Sequence, residues 1–226
     1  MLLVILMIPV LVIGFLVYAS FNVRSGVYVK AFCSASPEKK QIAVSFDDGP
    51  HSIYTPLVLD VLAKYNIKAT FFLIGKNIPG NEEILQRMVR EGHQIGNHSY
   101  SHGNTFPVMN TPEMAGDLLL CEQMIEESTG YQVKWFRPPF GVTNPMVAAA
   151  VKERGYLVAG WNIRSLDTVK TTGNVIRKIK SRIKPGAIIL LHDHLPGCTS
   201  VLEDILPYAG NEGYSMVTIE ELFDSK

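Results

Sequence analysis

Two apolar patterns alternate along most of this chain. Short apolar runs are each followed by a longer stretch with the spacing of an amphipathic helix, which predicts successive strand and helix units around a parallel sheet. The predicted strands lie at 42–46, 69–74, 94–96, 135–137, 157–161, 187–191 and 215–218. A series of this kind indicates a barrel of alternating strands and helices.

Capping and turn-forming residues separate these strands and mark the helices. Asn, Thr and Pro at the start of an apolar period favour a helix N-terminus, and Gly just after it favours the end. The predicted helices, each with its capping residue, are 57–65 with Thr55, 82–90 with Asn81, the helix that follows Thr111 and reaches residue 127, and the helix that follows Asn144 and ends near Gly155.

The beginning of the chain is a separate apolar segment. Residues 1–19 include no charged side chain, and at ~1.5 Å per residue such a run can cross most or all of a bilayer as a helix. We therefore predict a transmembrane or signal segment over 1–20, a linker over 21–40 and one folded domain over 41–226. Because Lys and Arg follow the segment and none precedes it, the positive-inside rule alone favours a cytoplasmic domain.

Composition narrows the classes of partner. The 226 residues contain 21 Lys and Arg against 21 Asp and Glu, so no basic stripe indicates a nucleic-acid partner. The three cysteines are widely spaced, which excludes a dense disulfide framework and a CxxC metal site and leaves a single disulfide open. No nucleotide-binding loop is visible, and we expect a monomer.

Short polar motifs begin where predicted strands end. They are the segments 45–50 (SFDDGP), 98–102 (HSYSH), 137–140 (RPPF) and 190–193 (LLHD). In parallel barrels the carboxyl ends of the strands meet at one rim, where active sites are built. We therefore expect the side chains of these motifs to converge.

The motif 98–102 places His98 and His102 four residues apart. On a helical turn, side chains with this spacing project from one face, so the pair could hold one metal ion. One carboxylate from Asp47 or Asp48 would complete three protein ligands, the number in a catalytic zinc site that keeps a position open for water. An ordinary Asp-rich turn and two unrelated histidines remain the alternative for each motif taken alone.

Arg137 and His192 add further chemistry. Arg137 precedes two prolines that stiffen the backbone, and its guanidinium could clamp a carboxylate bidentately. His192 ends an apolar strand and can donate a proton near neutral pH, with Asp167 as its candidate partner. We expect His93 and His194 to be structural or loop residues outside the site.

With these residues assembled, the chain resembles the polysaccharide deacetylases of carbohydrate esterase family 4, which share the NodB homology domain. The resemblance covers about residues 41–223, and the segments that correspond to the five family motifs are 45–50, 98–102, 137–141, 161–167 and 190–192. It implies a distorted (β/α)7 barrel as the fold.

The resemblance also implies a reaction, the hydrolysis of an acetamide on an amino sugar. Asp48, His98 and His102 would hold a divalent ion, usually zinc or cobalt. Asp47 would act as general base, and His192 would protonate the leaving amine. The supporting residues would be Arg137, which orients Asp47; Asp167, which raises the pKa of His192; the backbone N–H of Phe140, which stabilises the oxyanion; and Trp161 and Leu190, which line the pocket for the acetyl methyl group.

Some positions depart from the family pattern. Phe140 stands where tyrosine is common, Arg164 where an acidic residue is common, and Thr168 where tryptophan usually follows. Phe140 would act through its backbone N–H, so its side chain leaves that role intact. Arg164 and Thr168 would instead change the groove in which the sugar chain binds.

Among substrates, peptidoglycan is favoured over chitin oligomers and exopolysaccharide, because one catalytic domain follows an apolar N-terminal segment. This predicts an extracytoplasmic domain with the membrane as a partner. The Lys and Arg residues that follow the apolar N-terminal segment favour the opposite orientation. Two alternatives stay open, an esterase that removes O-acetyl groups from xylan or another glycan, and a catalytically silent, membrane-tethered glycan-binding protein.

Overall fold

The computed structural model describes the backbone of residues 2–36 and 38–224, and the side chains of residues 7–36 and 38–224. Its helices and strands follow one another as α1 (Leu2–Phe21), β1 (Ala31–Phe32), β2 (Gln41–Gly49), α2 (Tyr54–Lys64), β3 (Thr70–Leu73), α3 (Glu82–Arg90), β4 (Gln94–Asn97), α4 (Thr111–Thr129), β5 (Trp135–Phe136), α5 (Pro145–Arg154), β6 (Leu157–Ala159), β7 (Ile163–Arg164), α6 (Thr172–Lys180), β8 (Ile188–His192), α7 (Cys198–Asn211), β9 (Ser215–Val217) and α8 (Ile219–Asp224).

The strands form one curled sheet of parallel pairs. Their order is β1-β6-β5-β4-β3-β2-β8-β7, and β9 pairs with the amino end of β2. The predicted distorted barrel is therefore confirmed only as a curled sheet that does not close, since β1 and β7 lie at the two ends of this order and do not pair with each other within the described residues. Both end strands are two residues long, which leaves too few backbone groups to close the ring. The sheet is a half-barrel.

Every predicted strand overlaps an observed one, but β1 and β7 were not predicted. The strand β1 lies within the predicted linker and pairs with β6, while β7 pairs with β8. Two residues are too few to show a strand period, so these strands are defined by the neighbours with which they pair.

Three of the predicted helices begin and end close to the observed bounds. Asn144 caps α5 by accepting a hydrogen bond from the N–H of Val147, and Gly155 ends it in the left-handed conformation. The prediction that Thr55 caps α2 is wrong, because the helix already begins at Tyr54. The hydroxyl of Thr55 bonds instead to Asp193, behind the polar motifs. Thr111 is likewise not the cap of α4, since the side chain of Asn110 accepts the hydrogen bond from the N–H of Glu113.

The apolar beginning of the chain forms α1, whose side chains are largely exposed from residue 7 to residue 18. At its end, Ala19 is fully buried, and the carbonyl of Ser20 accepts a hydrogen bond from the N–H of Thr143. The predicted transmembrane or signal segment starts at Met1, which lies outside the described residues. Within them, no helix combines the length and the apolar character needed to cross a membrane.

Successive side chains of a strand point to opposite faces of the curled sheet, one inside the curl and one outside it beneath the helices. On β2, Val44 and Phe46 pack outward into the main core beneath the helices, so the intervening Ser45 and Asp47 point into the curl. The inner face is filled from below by a small apolar cluster that includes Phe72, Trp135, Ile188 and, from α8, Ile219 and Leu222. Above this plug the curl stays open at the carboxyl ends of the strands.

Candidate active site

A cavity of about 240 Å³ lies above the apolar plug, at the carboxyl ends of the strands. Its lining includes every predicted site residue except two, Arg137 and Asp167, which support it from behind. The lining residues are Asp47, Asp48, His98, His102, Phe140, Gly141, Trp161, Arg164, Leu166, Thr168, Leu190 and His192. The expected convergence of the polar motifs is therefore seen in the structure.

A bulge at the end of β2 turns both acidic side chains toward this cavity. Neighbouring residues in a regular strand face opposite sides of the sheet. Here the register against β3 shifts between Asp47 and Gly49, and Asp48 adopts the left-handed conformation with φ 73°, which re-aims its side chain. A Cβ at Gly49 would lie 2.5 Å from an oxygen of Asp193, so only glycine fits this turn.

Asp48, His98 and His102 form a group that could hold a metal ion. Oδ1 of Asp48 lies 3.5 Å from Nε2 of His98 and 3.3 Å from Nε2 of His102, and all ligand atoms of the group lie within 4.8 Å of one another. That oxygen is buried and accepts no hydrogen bond. Nδ1 of His98 lies 2.7 Å from the carbonyl oxygen of Arg137, which leaves Nε2 free for a metal. The donor set fits a divalent cation with open positions.

The two histidines reach this position from a loop, and not from the helical turn that their spacing predicted. Ser99 and His102 have φ angles of 68° and 43°, which no helix contains. The loop is held by Asp117 on α4, which accepts hydrogen bonds from the N–H groups of Tyr100 at 2.7 Å and Ser101 at 3.2 Å. Side-chain acceptors therefore replace the backbone bonds of a helix.

The charges in this group depend on one another. Burial alone would raise the pKa of Asp48, but the neighbouring imidazoles of His98, His102 and His192 hold it well below its usual range. Burial opposes charge on His98, yet Asp47 and Asp48 raise its pKa. The pKa of His102 falls to about 4 through burial and the neighbouring His98. An ionised Asp48 and a neutral His102 are the forms that bind metal.

Arg137 is completely buried behind Asp47. Its Nη1 donates to Oδ1 of Asp47 at 2.7 Å and to the hydroxyl of Ser45 at 2.9 Å, and Nη2 donates to the carbonyl of Gly160 at 2.9 Å. The predicted bidentate clamp is therefore wrong, because the guanidinium divides its donors among three acceptors. The ring of Phe72 lies 4.1 Å from the guanidinium carbon. Asp47 is thereby fixed through one oxygen.

His192 and Asp167 form the predicted pair. Oδ1 of Asp167 lies 2.8 Å from Nδ1 of His192, and Oδ2 accepts the backbone N–H of the same histidine at 2.8 Å. Burial would lower the pKa of His192, but the hydrogen bond and charge of Asp167 raise it to about 9. Nε2 faces the cavity, 3.9 Å from Oδ2 of Asp48. A protonated histidine is thus held beside the metal-binding group.

Asp193 supports the site, although the sequence analysis assigned it no role. It is fully buried, and its Oδ2 accepts the hydroxyl of Thr55 at 2.5 Å. Burial raises its pKa to about 7. Its adjacency to His192 in the motif 190–193 was the one signal that could have indicated this. Ser45 was likewise missed as a partner of Arg137, although it opens the first motif.

The remaining wall is apolar and partly strained. Leu190 is buried and Trp161 half-buried at the cavity, and a Cβ at Gly141 would lie 2.5 Å from the ring of Trp161. The ring of Phe140 packs 4.8 Å from that of His102. The described non-glycine residues with positive φ in this region are Asp48, Ser99, His102, Phe140 and Leu166. Such strain concentrates at functional sites.

Comparison with known proteins gives consistent matches. The family model described as "Polysaccharide deacetylase" matches residues 34–159. A relative in Listeria monocytogenes, named peptidoglycan-N-acetylglucosamine deacetylase PgdA, is 36% identical over 188 residues, which cover 83% of this chain and 40% of the relative. This chain therefore spans about two fifths of the length of that relative.

Two solved structures share the fold. The Bc1960 peptidoglycan N-acetylglucosamine deacetylase superposes with a TM-score of 0.80 at 31% identity, over 86% of this chain and 92% of that one. A family 4 acetyl xylan esterase from Clostridium thermocellum, solved in complex with a cobalt ion, superposes with a TM-score of 0.75 at 33% identity, over 82% and 91% of the two chains.

Proposed function

The chain belongs to the polysaccharide deacetylase family, and we propose that it removes N-acetyl groups from N-acetylglucosamine units of a cell-wall or extracellular polysaccharide, with peptidoglycan as the favoured polymer. The observation that carries this proposal is the meeting of a carboxylate, a metal-binding group and a protonated histidine in one small cavity. Amide hydrolysis needs these three elements, a base, an electrophile and an acid.

In this proposal Asp48, His98 and His102 hold a divalent ion, with zinc or cobalt as the candidates. When bound, the ion supplies a Lewis acid for the acetyl carbonyl and lowers the pKa of a nearby water. His98 keeps its ring orientation through the Arg137 carbonyl. The buried, unbonded oxygen of Asp48 supports this role, because a bare carboxylate oxygen needs a positive partner.

Asp47 is the proposed general base. Its Oδ1 is committed to Arg137, so Oδ2 is the oxygen left to accept the proton of the attacking water. Arg137 is a positioning residue, since its donors hold Asp47, Ser45 and the Gly160 carbonyl in one frame.

His192 is the proposed general acid. Its Nδ1 proton is held by Asp167, and its Nε2 proton is available to the nitrogen that departs from the acetyl carbon. An amine is a poor leaving group unless it is protonated as the bond breaks, so this transfer matters more for an amide than for an ester.

The apolar wall would select the acyl group. Trp161 and Leu190 would contact the acetyl methyl group, and a cavity of about 240 Å³ leaves little room for a longer acyl chain. The backbone N–H of Phe140 would donate to the oxyanion that forms on the former carbonyl. Because the favoured substrate is a wall polymer, we also propose that the domain acts outside the cytoplasmic membrane.

The main alternative is an esterase that removes O-acetyl groups with the same residues, and its specific support is the similarity to an acetyl xylan esterase. Replacement of His192 by alanine separates the two. An O-acetyl esterase would keep most of its rate, whereas an N-deacetylase would lose about 10²-fold to 10⁴-fold. A silent glycan-binding protein would release no acetate at all.

The deciding experiment measures acetate release by the purified full chain with zinc or cobalt, on N-acetylglucosamine oligomers and on peptidoglycan. We expect metal-dependent release that Asp47→Asn lowers by about 10²-fold or more, while metal binding is retained. Asp48→Asn is the matched variant, since it should lose metal binding and activity together. Release of acetate at the wild-type rate by Asp47→Asn would overturn the mechanism, and no release from either substrate by a metal-loaded protein would overturn the function.

A further inference from the structure

The cavity has one cationic side chain at its rim that the proposed chemistry does not use. Arg164 lines the cavity and is exposed. It pairs in register with Leu190 across β7 and β8, and register partners in neighbouring parallel strands project to the same face of the sheet. Arg164 is therefore presented on the same side as the residue proposed to contact the acetyl group.

Lys178 on α6 feels the positive charges of Arg164, Lys170 and Arg182, and we call these four cations the basic patch. Partial burial lowers the pKa of Lys178, and the positive charges of Arg182, Arg164 and Lys170 lower it further, so each of these three cations lies close enough to repel Lys178. None of the ion pairs of the described residues involves the patch, whereas Lys180 on the same helix pairs with Asp204 at 2.6 Å.

The acids in and behind the cavity that Arg164 lines each have a partner of their own. Asp47 is paired with Arg137, and Asp167 binds His192 through both carboxylate oxygens. Asp48 faces the two histidine ligands. The rim beside Arg164 thus carries uncompensated positive charge, which attracts an anionic group and focuses it at the cavity.

We propose that the basic patch binds a carboxylate carried by the glycan next to the acetylated sugar, so that the substrate is an anionic and not a neutral polysaccharide. This inference rests on the proposed function, since the patch adjoins the cavity that would hold the acetamide. A guanidinium presents two parallel donors that match a carboxylate, and Arg164 is the member of the patch that lines the cavity. Lys170, Lys178 and Arg182 add attraction at longer range.

The test compares soluble peptidoglycan fragments that carry free carboxylates with the same fragments after their carboxylates have been amidated. For the wild-type protein with zinc, we expect kcat/KM to favour the free carboxylates by about tenfold, and this preference to shrink as salt is raised. Arg164→Gln and Lys178→Gln should each reduce the preference, and Arg164→Lys should restore part of it.

Arg90→Gln is the matched control, because Arg90 is an exposed arginine at the end of α3. The chain enters β4 directly after it, so Arg90 lies near the amino ends of the strands, away from the cavity. Its substitution should leave the preference unchanged. An equal preference in wild type and Arg164→Gln, or equal rates on both fragments by the wild type, would overturn the inference.

Neutral N-acetylglucosamine oligomers separate this inference from the proposed function. If the function is right and the inference wrong, the wild type releases acetate from the oligomers and shows no carboxylate preference. If no substrate releases acetate, the function fails, and the affinity of the two fragments for the wild type and for Arg164→Gln still tests the patch. A tenfold weaker binding of the amidated fragments to the wild type would then support it, and equal binding would overturn it.

Discussion

One buried arginine organises two parts of the site. The side chain of Arg137 fixes Asp47, and its carbonyl oxygen orients His98. The motif of an arginine before two prolines indicated a clamp on a carboxylate, and the structure shows a buried guanidinium that holds Asp47 through one oxygen. Its two other acceptors could not be predicted, because Ser45 and Gly160 are far away in the sequence and meet Arg137 only through the parallel pairing of strands.

Asp193 provides a prediction on the pH dependence of stability. Its carboxyl has a pKa of about 7 in the folded protein against 3.8 as the ordinary value. The folded state therefore binds the proton more tightly, so this group lowers stability as pH rises from about 4 to about 7, and the loss persists above pH 7. At ~1.4 kcal/mol per pKa unit, its upper limit is about 4 kcal/mol.

Asp193→Asn removes this ionisation and keeps an oxygen that can accept the hydroxyl of Thr55. We expect the variant to gain stability relative to wild type between pH 4 and pH 7, measured by urea unfolding with a chelator present. Asp224→Asn, an exposed aspartate on α8, is the control and should follow the wild-type curve. Parallel curves for Asp193→Asn and wild type would contradict the prediction.

At the scale of elements, the loops after the strands carry the site, and their conformation was the hardest part to predict. The spacing of His98 and His102 correctly indicated that the two side chains lie together, but a helical turn was wrong. The spacing of apolar and polar residues indicates which face of an element a residue occupies. It does not indicate single residues with left-handed backbone, such as Ser99 and His102. The loop depends on a hydrogen-bond acceptor from α4, which lies later in the chain.

That dependence makes Asp117 a positioning residue for the loop that carries His98 and His102. Its carboxylate accepts the N–H groups of Tyr100 and Ser101, so Asp117→Ala should free the loop between the two histidines. Outer groups that orient metal ligands typically contribute about 10-fold to 100-fold in affinity. We expect a zinc affinity lowered by about tenfold, measured by competition with a chelator.

Two variants on α4 sharpen this measurement. Asp117→Asn keeps one acceptor oxygen and should give an intermediate zinc affinity. Glu127→Ala, an exposed acid near the end of the same helix, removes one negative charge without touching the loop and should bind zinc as the wild type does. Zinc affinity that falls equally in Asp117→Ala and Glu127→Ala would point to net charge instead of loop geometry.

For the whole molecule, the sequence indicated every described strand except β1 and β7, and the edge at which the motifs meet, because both follow from apolar periodicity and parallel pairing. It did not indicate that the sheet stays open. Closure depends on the short strands β1 and β7, whose bounds are set by contacts with β6 and β8. The open side still leaves the cavity intact, because the site residues come mainly from strands that lie inside the order of the sheet.

Metal binding should therefore stabilise the entire fold. Asp48 lies at the end of β2 while His98 and His102 follow β4, so the three residues meet only when the strands are paired, and the unfolded chain has no such group. Zinc at 100 times its Kd should raise the free energy of unfolding by about 2.7 kcal/mol, measured by urea denaturation and reversed by a chelator. Asp47→Asn should keep this gain and Asp48→Asn should lose it. An equal gain in Asp48→Asn would place the bound zinc elsewhere in the protein.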